Sequence, residues 1–395
     1  MMKGKKASLT VIFFTVFIDL LGFGILIPLL PTFGTKELGI SNFQIGLSVA
    51  VYSLMQFLFN PIMGRLSDKY GRRPIILISL SMTITSYILF SVTHSFFLLM
   101  VSRTLAGLGG SNIGAAQAYI ADITTPQERA KGMGVIGAAF GLGFVFGPFT
   151  GAILSKFGYP VAGLGAAAFS TMAFLFALFF LPESNKEKKT DKIKLKLFEL
   201  DYAKKILGHP EIGILVIFYF IIVFSMANIF GTLSLLGYEV FHFSDQQNGS
   251  IFGIMGIVGA LVQGGVIKKL SNTFTERVIL MGGALLMMVG LAILPFDKNF
   301  LEVAVVVSIY GVGSGILQPV VVSMVSKYAP EGEQGAVLGL NQSLAAFARV
   351  LGPIWGGFAF DYFGFQFPFL TGAAFTFVSF LIAYFLLKGK KTDHV

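Results

Sequence analysis

The sequence predicts an all-α integral membrane protein with twelve transmembrane helices, arranged as two six-helix pseudo-repeats. Three observations lead to this fold class: the composition, the lengths of the apolar segments and an internal repeat. Hydrophobic residues make up 55% of the 395-residue chain and charged residues only 12%, whereas a soluble domain has about 25% charged residues. The mean hydropathy is +0.79, so most of the chain is suited to a lipid bilayer.

Each apolar segment has roughly the 20 residues that a helix needs to cross the hydrocarbon core. A β-barrel would instead show alternating segments of about ten residues, which the sequence lacks. Because no water reaches the bilayer core, continuous helices are the structure that satisfies these backbones. The predicted helices lie near 8–31, 43–63, 74–93, 96–121, 132–155, 160–181, 210–236, 247–267, 277–296, 301–324, 335–360 and 364–387.

The basic residues lie in alternate loops. The chain has a net charge of +9, and when the loops are alternated most Lys and Arg residues fall on one side of the membrane. The positive-inside rule then predicts a multi-pass protein of the cell membrane with both termini in the cytoplasm, and this distribution argues for lipid rather than nucleic acid as the partner. The first segment continues past Pro31 without a cleavage pattern, so we expect a retained helix rather than a signal peptide.

A polar, lysine-rich stretch divides the chain after six helices. It predicts an N-terminal bundle at 1–182, a cytoplasmic linker at 183–208 and a C-terminal bundle at 209–395. Apolar residues are interspersed among the lysines, so the linker is either a helix on the anionic inner leaflet or a solvated tether. The chain has no cysteine, which excludes disulfides and thiol chemistry.

The two halves repeat one pattern. The run GLGGSNIGAAQAYIADITTPQER from Gly107 aligns with GVGSGILQPVVVSMVSKYAPEGEQ from Gly311, and GPFTGAILSKFG from Gly147 aligns with GPIWGGFAFDYFG from Gly352. Two six-helix repeats are typical of secondary transporters, whose site lies near the bilayer midplane. No phosphate-binding GxxxxGK[ST] loop is present, so a gradient is the expected source of energy.

The loop after the second predicted helix reads GRLSDKYGRRP at 64–74. This loop resembles the GxLxDxxGRRP signature of the major facilitator superfamily, and the resemblance implies the twelve-helix fold of that family over the whole chain. It also implies a cytoplasmic gate; the alternative is that these charges signal topology alone. The equivalent second-half loop, at 266–278, lacks the Asp and the double Arg, so we expect any second gate to be degenerate. The predicted gate residues are Gly64, Asp68, Gly71, Arg72, Arg73, Asp122 and Arg129.

Two charged residues lie inside predicted helices of the first half, Asp19 and Arg103. The RTLAG run that begins at Arg103 resembles the RxxxG element of the same family. Ionisable residues inside a membrane cost several kcal/mol unless paired, so they indicate a functional site. We therefore predict that Asp19 and Arg103 carry proton coupling, with a static ion pair as the alternative.

The fifth predicted helix is rich in glycine and resembles the antiporter-associated pattern ending in Gly-Pro in this superfamily. Four-residue glycine spacing allows tight helix packing, whether or not the helix serves antiport. Further stretches in helices 1, 2 and 4 resemble bacterial tetracycline/proton antiporters, although Asp19 is the only acid deep in the predicted bilayer region. The packing-motif residues are Gly137, Gly141, Gly143, Gly147, Pro148 and Gly151.

The resemblance also implies that helices 1, 4, 7 and 10 line a central substrate cavity. Buried amides can equally well hold helices together, so each candidate also has a structural interpretation. Arg349 is the only charge of the second half that the sequence predicts to be buried, away from the helix ends, and it suits either an anionic substrate group or the inner gate. The cavity candidates are Phe23, Tyr52, Gln56, Asn112, Gln117, Asn228, Gln263, Tyr310, Gln318, Asn341, Gln342 and Arg349.

The leading hypothesis is a monomeric, proton-coupled antiporter that exports amphipathic small molecules or drugs by alternating access, a role in multidrug efflux and antibiotic resistance. The alternatives are a major facilitator transporter or facilitator of a metabolite, sugar or lipid, and a transporter-like receptor. An enzyme is not expected, because no nucleophile, base and acid are clustered. No cofactor is predicted, and the four histidines form no metal-ligand set.

Overall fold

The computed structural model describes residues 2–124, 129–185, 200–329 and 334–385. Within these ranges every regular element is helical, and eleven helices are long and apolar enough to cross a membrane, by length and composition. A shorter apolar helix at Gly141–Phe157 accompanies them. The predicted all-α, multi-helix membrane fold is therefore confirmed. Most of the predicted linker, the N-terminal lysines and the C-terminal tail lie outside the described residues or have undescribed side chains.

The helices before the linker alternate with short turns. Gly71, Gly158 and the Thr93–Ser95 turn lie between successive helices. The helices are α1 Met2–Leu26, α2 Leu29–Glu37, α3 Asn42–Tyr70, α4 Arg72–Ser91, α5 Phe96–Gly109, α6 Ile113–Ile123, α7 Arg129–Leu154 and α8 Tyr159–Phe180.

The helices after the linker follow the same plan, with a short amphipathic helix in front. Two π-helical turns, Leu236–Val240 and Val262–Val266, interrupt the regular winding. The helices are α9 Leu200–Leu207, α10 Pro210–Leu235, α11 Asp245–Leu261, α12 Ile267–Thr273, α13 Glu276–Ile293, α14 Phe300–Tyr328, α15 Gln334–Phe363 and α16 Phe367–Phe385.

The chain divides into two compact units. Unit 1 comprises Met1–Ile40 and Val51–Leu197, and unit 2 comprises Ser41–Ala50 and Phe198–Val395. The start of α3 is grouped with unit 2 because the backbone N–H groups of Asn42 and Phe43 donate to the carboxylate of Asp361, at 3.3 and 2.8 Å. These contacts cap the N-terminus of α3 with a negative charge, which the helix dipole favours.

Two predicted helices are interrupted, in contrast to the sequence-based expectation. The first helix breaks at Pro28, between α1 and α2, because proline lacks the N–H group that a continuous helix requires. The fourth helix breaks at a 3₁₀ turn, Gly110–Asn112, between α5 and α6. Gly109 and Gly110 are adjacent there, and glycine is a poor helix former.

In unit 1, α1 and α7 pack through glycines. A Cβ atom at Gly24 would lie 2.8 Å from the carbonyl oxygen of Gly143 and 2.9 Å from the Cα atom of Gly147. A Cβ at Gly151 would clash with the backbone of Ile25. Packing of this kind lets helix backbones approach closely in a membrane. At Gly141 a Cβ would meet no atom of the described residues within 4 Å.

Pro148 lies buried inside α7, and of Gly137 only its place in α7 is described. In unit 2, α15 approaches α10 at Gly352, where a Cβ would lie 2.8 Å from the Cβ of Ala227. Glycine contacts therefore bring the first and fifth membrane helices together in each unit.

Candidate functional site

The Asp19 cluster lies in the middle of unit 1 and consists of Asp19, Asn112 and Ser170. The Nδ2 atom of Asn112 donates to one carboxylate oxygen of Asp19, and the hydroxyl of Ser170 donates to the other, each at 3.3 Å. All three side chains are buried. The cluster joins α1, the 3₁₀ turn and α8, so three helices depend on the state of one acid.

The Tyr52 cluster lies on the other side of the 3₁₀ turn and consists of Phe23, Tyr52, Gln56 and Arg103. The Arg103 guanidinium lies 4.8 Å from the centre of the Tyr52 ring, and the Phe23 ring stacks on Tyr52 with centroids 4.7 Å apart. Gln56 donates to the Tyr52 hydroxyl at 2.9 Å and to the carbonyl of Gly110 at 3.0 Å. A cation over an aromatic face contributes up to about 2 kcal/mol when desolvated.

The sequence-based prediction paired Asp19 with Arg103. The structure places both charges in unit 1 and buries both, but the described hydrogen bonds of Asp19 come from Asn112 and Ser170. Tyr87 of α4 interacts electrostatically with both charges. Sequence reasoning missed Ser170 and Tyr87, because a serine or tyrosine in an apolar helix carries no signal of its own.

The loop cluster lies at the α3–α4 junction and consists of Asp68, Arg72, Arg73, Asp122 and Glu183. Arg72 forms ion pairs with Asp68 at 2.6 Å and with Asp122 at 3.0 Å. Its guanidinium also donates to the Ser67 hydroxyl at 2.6 Å. The structure therefore brings together the predicted residues Asp68, Arg72 and Asp122 on three different helices.

Glu183 was not predicted. Its carboxylate accepts the backbone N–H groups of Arg72, at 2.9 Å, and of Arg73, at 3.2 Å, which are the first two residues of α4. A helix N-terminus leaves such N–H groups without partners, and a carboxylate there is favoured by the helix dipole. The Arg73 side chain reaches the other way and donates to the carbonyl of Leu178, near the end of α8, at 2.6 Å.

Two glycines of the predicted gate behave differently. Gly71 has a φ of +107°, a backbone conformation that glycine adopts easily, and a Cβ there would clash with the carboxylate of Glu183. A Cβ at Gly64, in contrast, would meet no atom of the described residues within 4 Å. The side chain of Arg129 lies outside the described part of the chain.

In unit 2 the predicted cavity residues fall into separate groups. Tyr219 of α10 lies near Gln342 and interacts electrostatically with Arg349, both on α15. Gln342 is exposed and Arg349 is half-buried. This Arg349 cluster, formed by Tyr219, Gln342 and Arg349, therefore offers a partly accessible positive charge within a membrane helix. Tyr219 was not among the predicted residues.

The amide of Asn228 links two helices of unit 2, since it donates to the carbonyl of Pro368 at 2.5 Å. Tyr310 packs beneath Gly290, and Gln318 contacts the sulfur of Met226 at 3.2 Å. These three residues join helices within unit 2.

Three further candidates differ in their exposure. Asn341 is buried, and no residue of the described ranges supplies a hydrogen-bond partner to its amide. Gln117 and Gln263 are exposed. In the described ranges no three His, Asp or Glu side chains converge on a possible metal site.

A buried acid with two neutral donors, an aromatic-arginine cluster and a charged loop, all set in apolar helices, define a polytopic membrane protein with a polar interior. The chain belongs to the Major Facilitator Superfamily, because the sequence model of that family matches residues 12–353 and 268–395. It is a membrane transporter by family and fold.

Individual relatives extend over nearly the whole chain. The chain is 28% identical to multidrug resistance protein 2 of Bacillus subtilis, over 98% of this chain and 97% of that protein. It is 31% identical to the class E tetracycline resistance protein of Escherichia coli, over 88% and 86% of the two chains. The solved structure of the human organic anion transporter MFSD10 is similar, with a TM-score of 0.72, 26% identity and coverage of 96% and 99%.

Proposed function

We propose that this protein is a proton-coupled antiporter that exports amphipathic small molecules from the cytoplasm by alternating access. In this proposal it acts as a monomer in the cell membrane, with both termini and the loop cluster on the cytoplasmic side. The observation that carries the proposal is the buried Asp19 carboxylate, held by Asn112 and Ser170. Bacterial relatives named for multidrug and tetracycline resistance support export as the direction.

Asp19 is suited to take up and release a proton because both of its partners are neutral. An ionised carboxylate accepts both hydrogen bonds, whereas a protonated one has a donor of its own and must find an acceptor. An uncompensated charge inside the membrane is costly, so loading a proton changes which arrangement of the surrounding helices is favoured. Binding of a proton at Asp19 thus shifts the equilibrium between two conformations of unit 1.

The loop cluster serves as the cytoplasmic latch in this proposal. Arg72 holds α3 through Asp68 and α6 through Asp122, and Glu183 fixes the start of α4. A network of charges on separate helices can break and re-form as a unit. The predicted gate residue Gly64 belongs to this proposal through its place in the motif at 64–74, and Arg129 through its place in the next predicted cytoplasmic loop.

The Tyr52 cluster is the proposed contact surface for the substrate. Phe23 and Tyr52 offer stacked rings and Arg103 a cation, which suits an aromatic molecule carrying polar groups. The remaining predicted cavity residues are secondary candidates. Among them the exposed residues Gln117 and Gln263 have side chains free to meet a ligand or lipid.

The test uses inverted membrane vesicles with an acidic interior, in which an exporter that exchanges protons for drug accumulates the drug. Ethidium, norfloxacin and tetracycline are the probes. We expect at least one probe to accumulate in the wild type, the Asp19→Asn variant to lose this accumulation, and Asp19→Glu to retain part of it. Unaltered accumulation in Asp19→Asn would rule out the role of Asp19, and no accumulation of any probe would rule out drug export.

Organic anion transport is the second candidate function. It is supported by the Arg349 cluster, where a half-buried guanidinium lies next to Tyr219 and Gln342, and by the similarity to the human organic anion transporter. Arginine is well suited to bind carboxylates. Uptake of a fluorescent carboxylate such as fluorescein by the same vesicles tests this candidate. We expect Arg349→Gln to abolish fluorescein transport while leaving ethidium transport intact if the anion is the true substrate.

A further inference from the structure

The 3₁₀ turn Gly110–Asn112 lies directly between the Asp19 cluster and the Tyr52 cluster. At one end of the turn, Asn112 donates to the Asp19 carboxylate at 3.3 Å. At the other end, the carbonyl of Gly110 accepts a hydrogen bond from Gln56 at 3.0 Å. A single turn of the fourth helix is therefore bonded both to the acid on α1 and to the polar side chain on α3.

Gln56 extends this connection to the aromatic residues. The same Nε2 atom that donates to Gly110 also donates to the Tyr52 hydroxyl at 2.9 Å, and Arg103 lies over the Tyr52 ring. Asp19, Asn112 and Tyr52 are each no more than 8% exposed. The Asp19–Asn112 bond is therefore shielded from bulk water, whereas the two bonds of Gln56 are part-buried.

The turn lies in close contact with α3. A 3₁₀ segment inside an α-helix has weaker hydrogen-bond geometry and often marks a hinge. The contact with α3 also requires glycine: a Cβ at Gly110 would lie 2.6 Å from the Tyr52 hydroxyl oxygen, and one at Gly107 would lie 2.7 Å from the Cβ of Met55. The turn thus combines a soft backbone with close contact to the Tyr52 cluster.

We propose that the Gly110–Asn112 turn couples the protonation of Asp19 to the Tyr52 cluster, with Gln56 as the positioning residue. This inference rests on the proposed function. The Asn112 amide binds an ionised Asp19 more strongly than a protonated one, because hydrogen bonds to a charge are roughly twice as strong. When a proton arrives, the turn is released, the Gly110 carbonyl reorients, and Gln56 shifts the Tyr52 hydroxyl.

Other titratable groups also face these residues. Tyr87 on α4 interacts electrostatically with Asp19, Tyr52 and Arg103, and Arg103 interacts with Tyr52. The experiment therefore compares every pH effect with the Asp19→Asn variant, which leaves those groups in place. An effect that survives in Asp19→Asn belongs to one of them and counts against the proposal.

Hydrogen–deuterium exchange of the purified full-length protein between about pH 5 and pH 8 is the first test. After correction for intrinsic rates, we expect protection of peptides covering the turn and Tyr52 to change at least about threefold in the wild type. Asp19→Asn should abolish both changes. Gln56→Leu should keep the change at the turn and lose the one at Tyr52, and the shorter Gln56→Asn provides a second variant if Gln56→Leu does not fold.

The control is Thr104→Val, which removes a hydroxyl that donates to the Met100 carbonyl of its own helix at 2.8 Å. This variant should behave as the wild type. A wild-type turn that ignores pH, or a Gln56→Leu variant that retains both changes, would overturn the proposal. The exchange readout needs no substrate, so vesicles that fail to transport under a pH gradient would refute the proposed function and leave this result standing.

A double-mutant cycle in the vesicle assay is the second test, with ethidium as the probe. Asn112→Ala and Gln56→Leu act on one connection, so combining them should lower gradient-driven accumulation no further than the more severe single variant. Multiplying losses would show that the two residues act independently and would contradict the proposal.

Discussion

Each unit has an ion pair at the start of its third membrane helix. The acid and the base have exchanged places between the two units. In unit 1, Arg72 starts α4 and pairs with Asp122 near the end of α6 at 3.0 Å. In unit 2, Glu276 starts α13 and pairs with Lys327 near the end of α14 at 2.5 Å. The second-half loop, which the sequence analysis expects to be degenerate, therefore keeps the ion pair in reversed form.

The residue that follows the ion-pair residue at the helix start is an arginine in both units. Arg73 donates to the carbonyl of Leu178 near the end of α8, and Arg277 donates to the carbonyls of Ala383, at 3.1 Å, and Tyr384 at the end of α16. A cation at a helix C-terminus complements the helix dipole. This arginine is therefore a shared structural element, whereas the ion pair beside it has diverged.

The two ion pairs also differ in their direction relative to the helix dipoles. In unit 2 the acid lies at a helix N-terminus and the base at a helix C-terminus, so both dipoles stabilise the pair by roughly 0.3 to 1 kcal/mol each. In unit 1 both charges oppose their dipoles, and Glu183 compensates at the start of α4. We infer that unit 1 holds the switchable pair and unit 2 the static one.

The largest expected effect is that of Arg72→Ala. This change leaves the carboxylates of Asp68, Asp122 and Glu183 close together without the cation. Arg72 is buried, but the side chains of Asp68 and Asp122 are 40% and 26% exposed, so loss of the cation costs about 1 to 3 kcal/mol. We expect gradient-driven ethidium accumulation to fall at least tenfold. Glu276→Ala, the matched variant in unit 2, should lose less than about half. Equal losses would contradict the assignment of the switch to unit 1.

Gly71→Ala tests the turn that distinguishes the two loops. Gly71 has a φ of +107°, whereas Thr275 precedes α13 with a φ of −69°. An alanine at Gly71 is strained and clashes with Glu183, so we expect a loss of about 1 to 3 kcal/mol in unfolding free energy. Thr275→Ala should change stability far less. Thermal unfolding in detergent measures both variants, and equal stability would argue against the strained turn.

Glu183→Gln keeps the shape of the cap and removes its charge. The backbone N–H groups of Arg72 and Arg73 would then face a neutral acceptor, at a cost of about 1 kcal/mol. We expect a lower unfolding temperature, and a larger decrease for Glu183→Ala, which removes the acceptor altogether. If both variants unfold at the wild-type temperature, Glu183 does not hold the start of α4.

The double variant Glu276→Lys with Lys327→Glu turns the unit 2 pair to the direction found in unit 1. The ion pair can re-form, but both charges then oppose the helix dipoles, so we expect a loss of about 1 kcal/mol in detergent unfolding. Each single variant should be less stable than the double. If the double variant is as stable as the wild type, the helix dipoles do not stabilise the ion pair of unit 2.

The smallest expected effect concerns Asp297, in the loop between α13 and α14. Burial and the nearby carboxylate of Glu302 raise the pKa of Asp297 from 3.8 to about 6. The folded state therefore keeps this proton to a higher pH than the unfolded state, and the stability it contributes is lost as the pH rises from about 4 through 6. Unfolding temperatures should show this decline in the wild type and not in Asp297→Asn.

The membrane fold could be predicted from the sequence because hydropathy acts over whole segments. Arg72 and Asp68 could be predicted because their spacing forms a recognisable motif. Glu183 could not, because its role is to cap a helix that begins more than a hundred residues earlier in the chain. The Glu276–Lys327 pair was not predicted either. An alignment of the two halves compares identical residues, so it does not reveal an ion pair in which the acid and the base have exchanged places.

The Asp19 site, too, could be predicted only in part from the sequence. Its place inside a helix follows from the sequence, whereas its partners follow from how helices pack. Ser170 was not predicted, and Asn112 was predicted to line the substrate cavity. A small polar residue in a helix does not indicate which neighbouring side chain it will contact. The adjacent residues Gly109 and Gly110 are typical of a weak point in a helix, but the apolar run around them predicted a continuous helix.

The most direct test of the account compares two modes of transport in reconstituted vesicles of the Asp19→Asn variant. One mode is accumulation of ethidium driven by a pH gradient, and the other is exchange of labelled for unlabelled ethidium without a gradient. If Asp19 carries the proton, the variant should lose accumulation and keep exchange, because exchange requires the alternating helices and no net proton movement. Accumulation equal to that of the wild type would contradict the account.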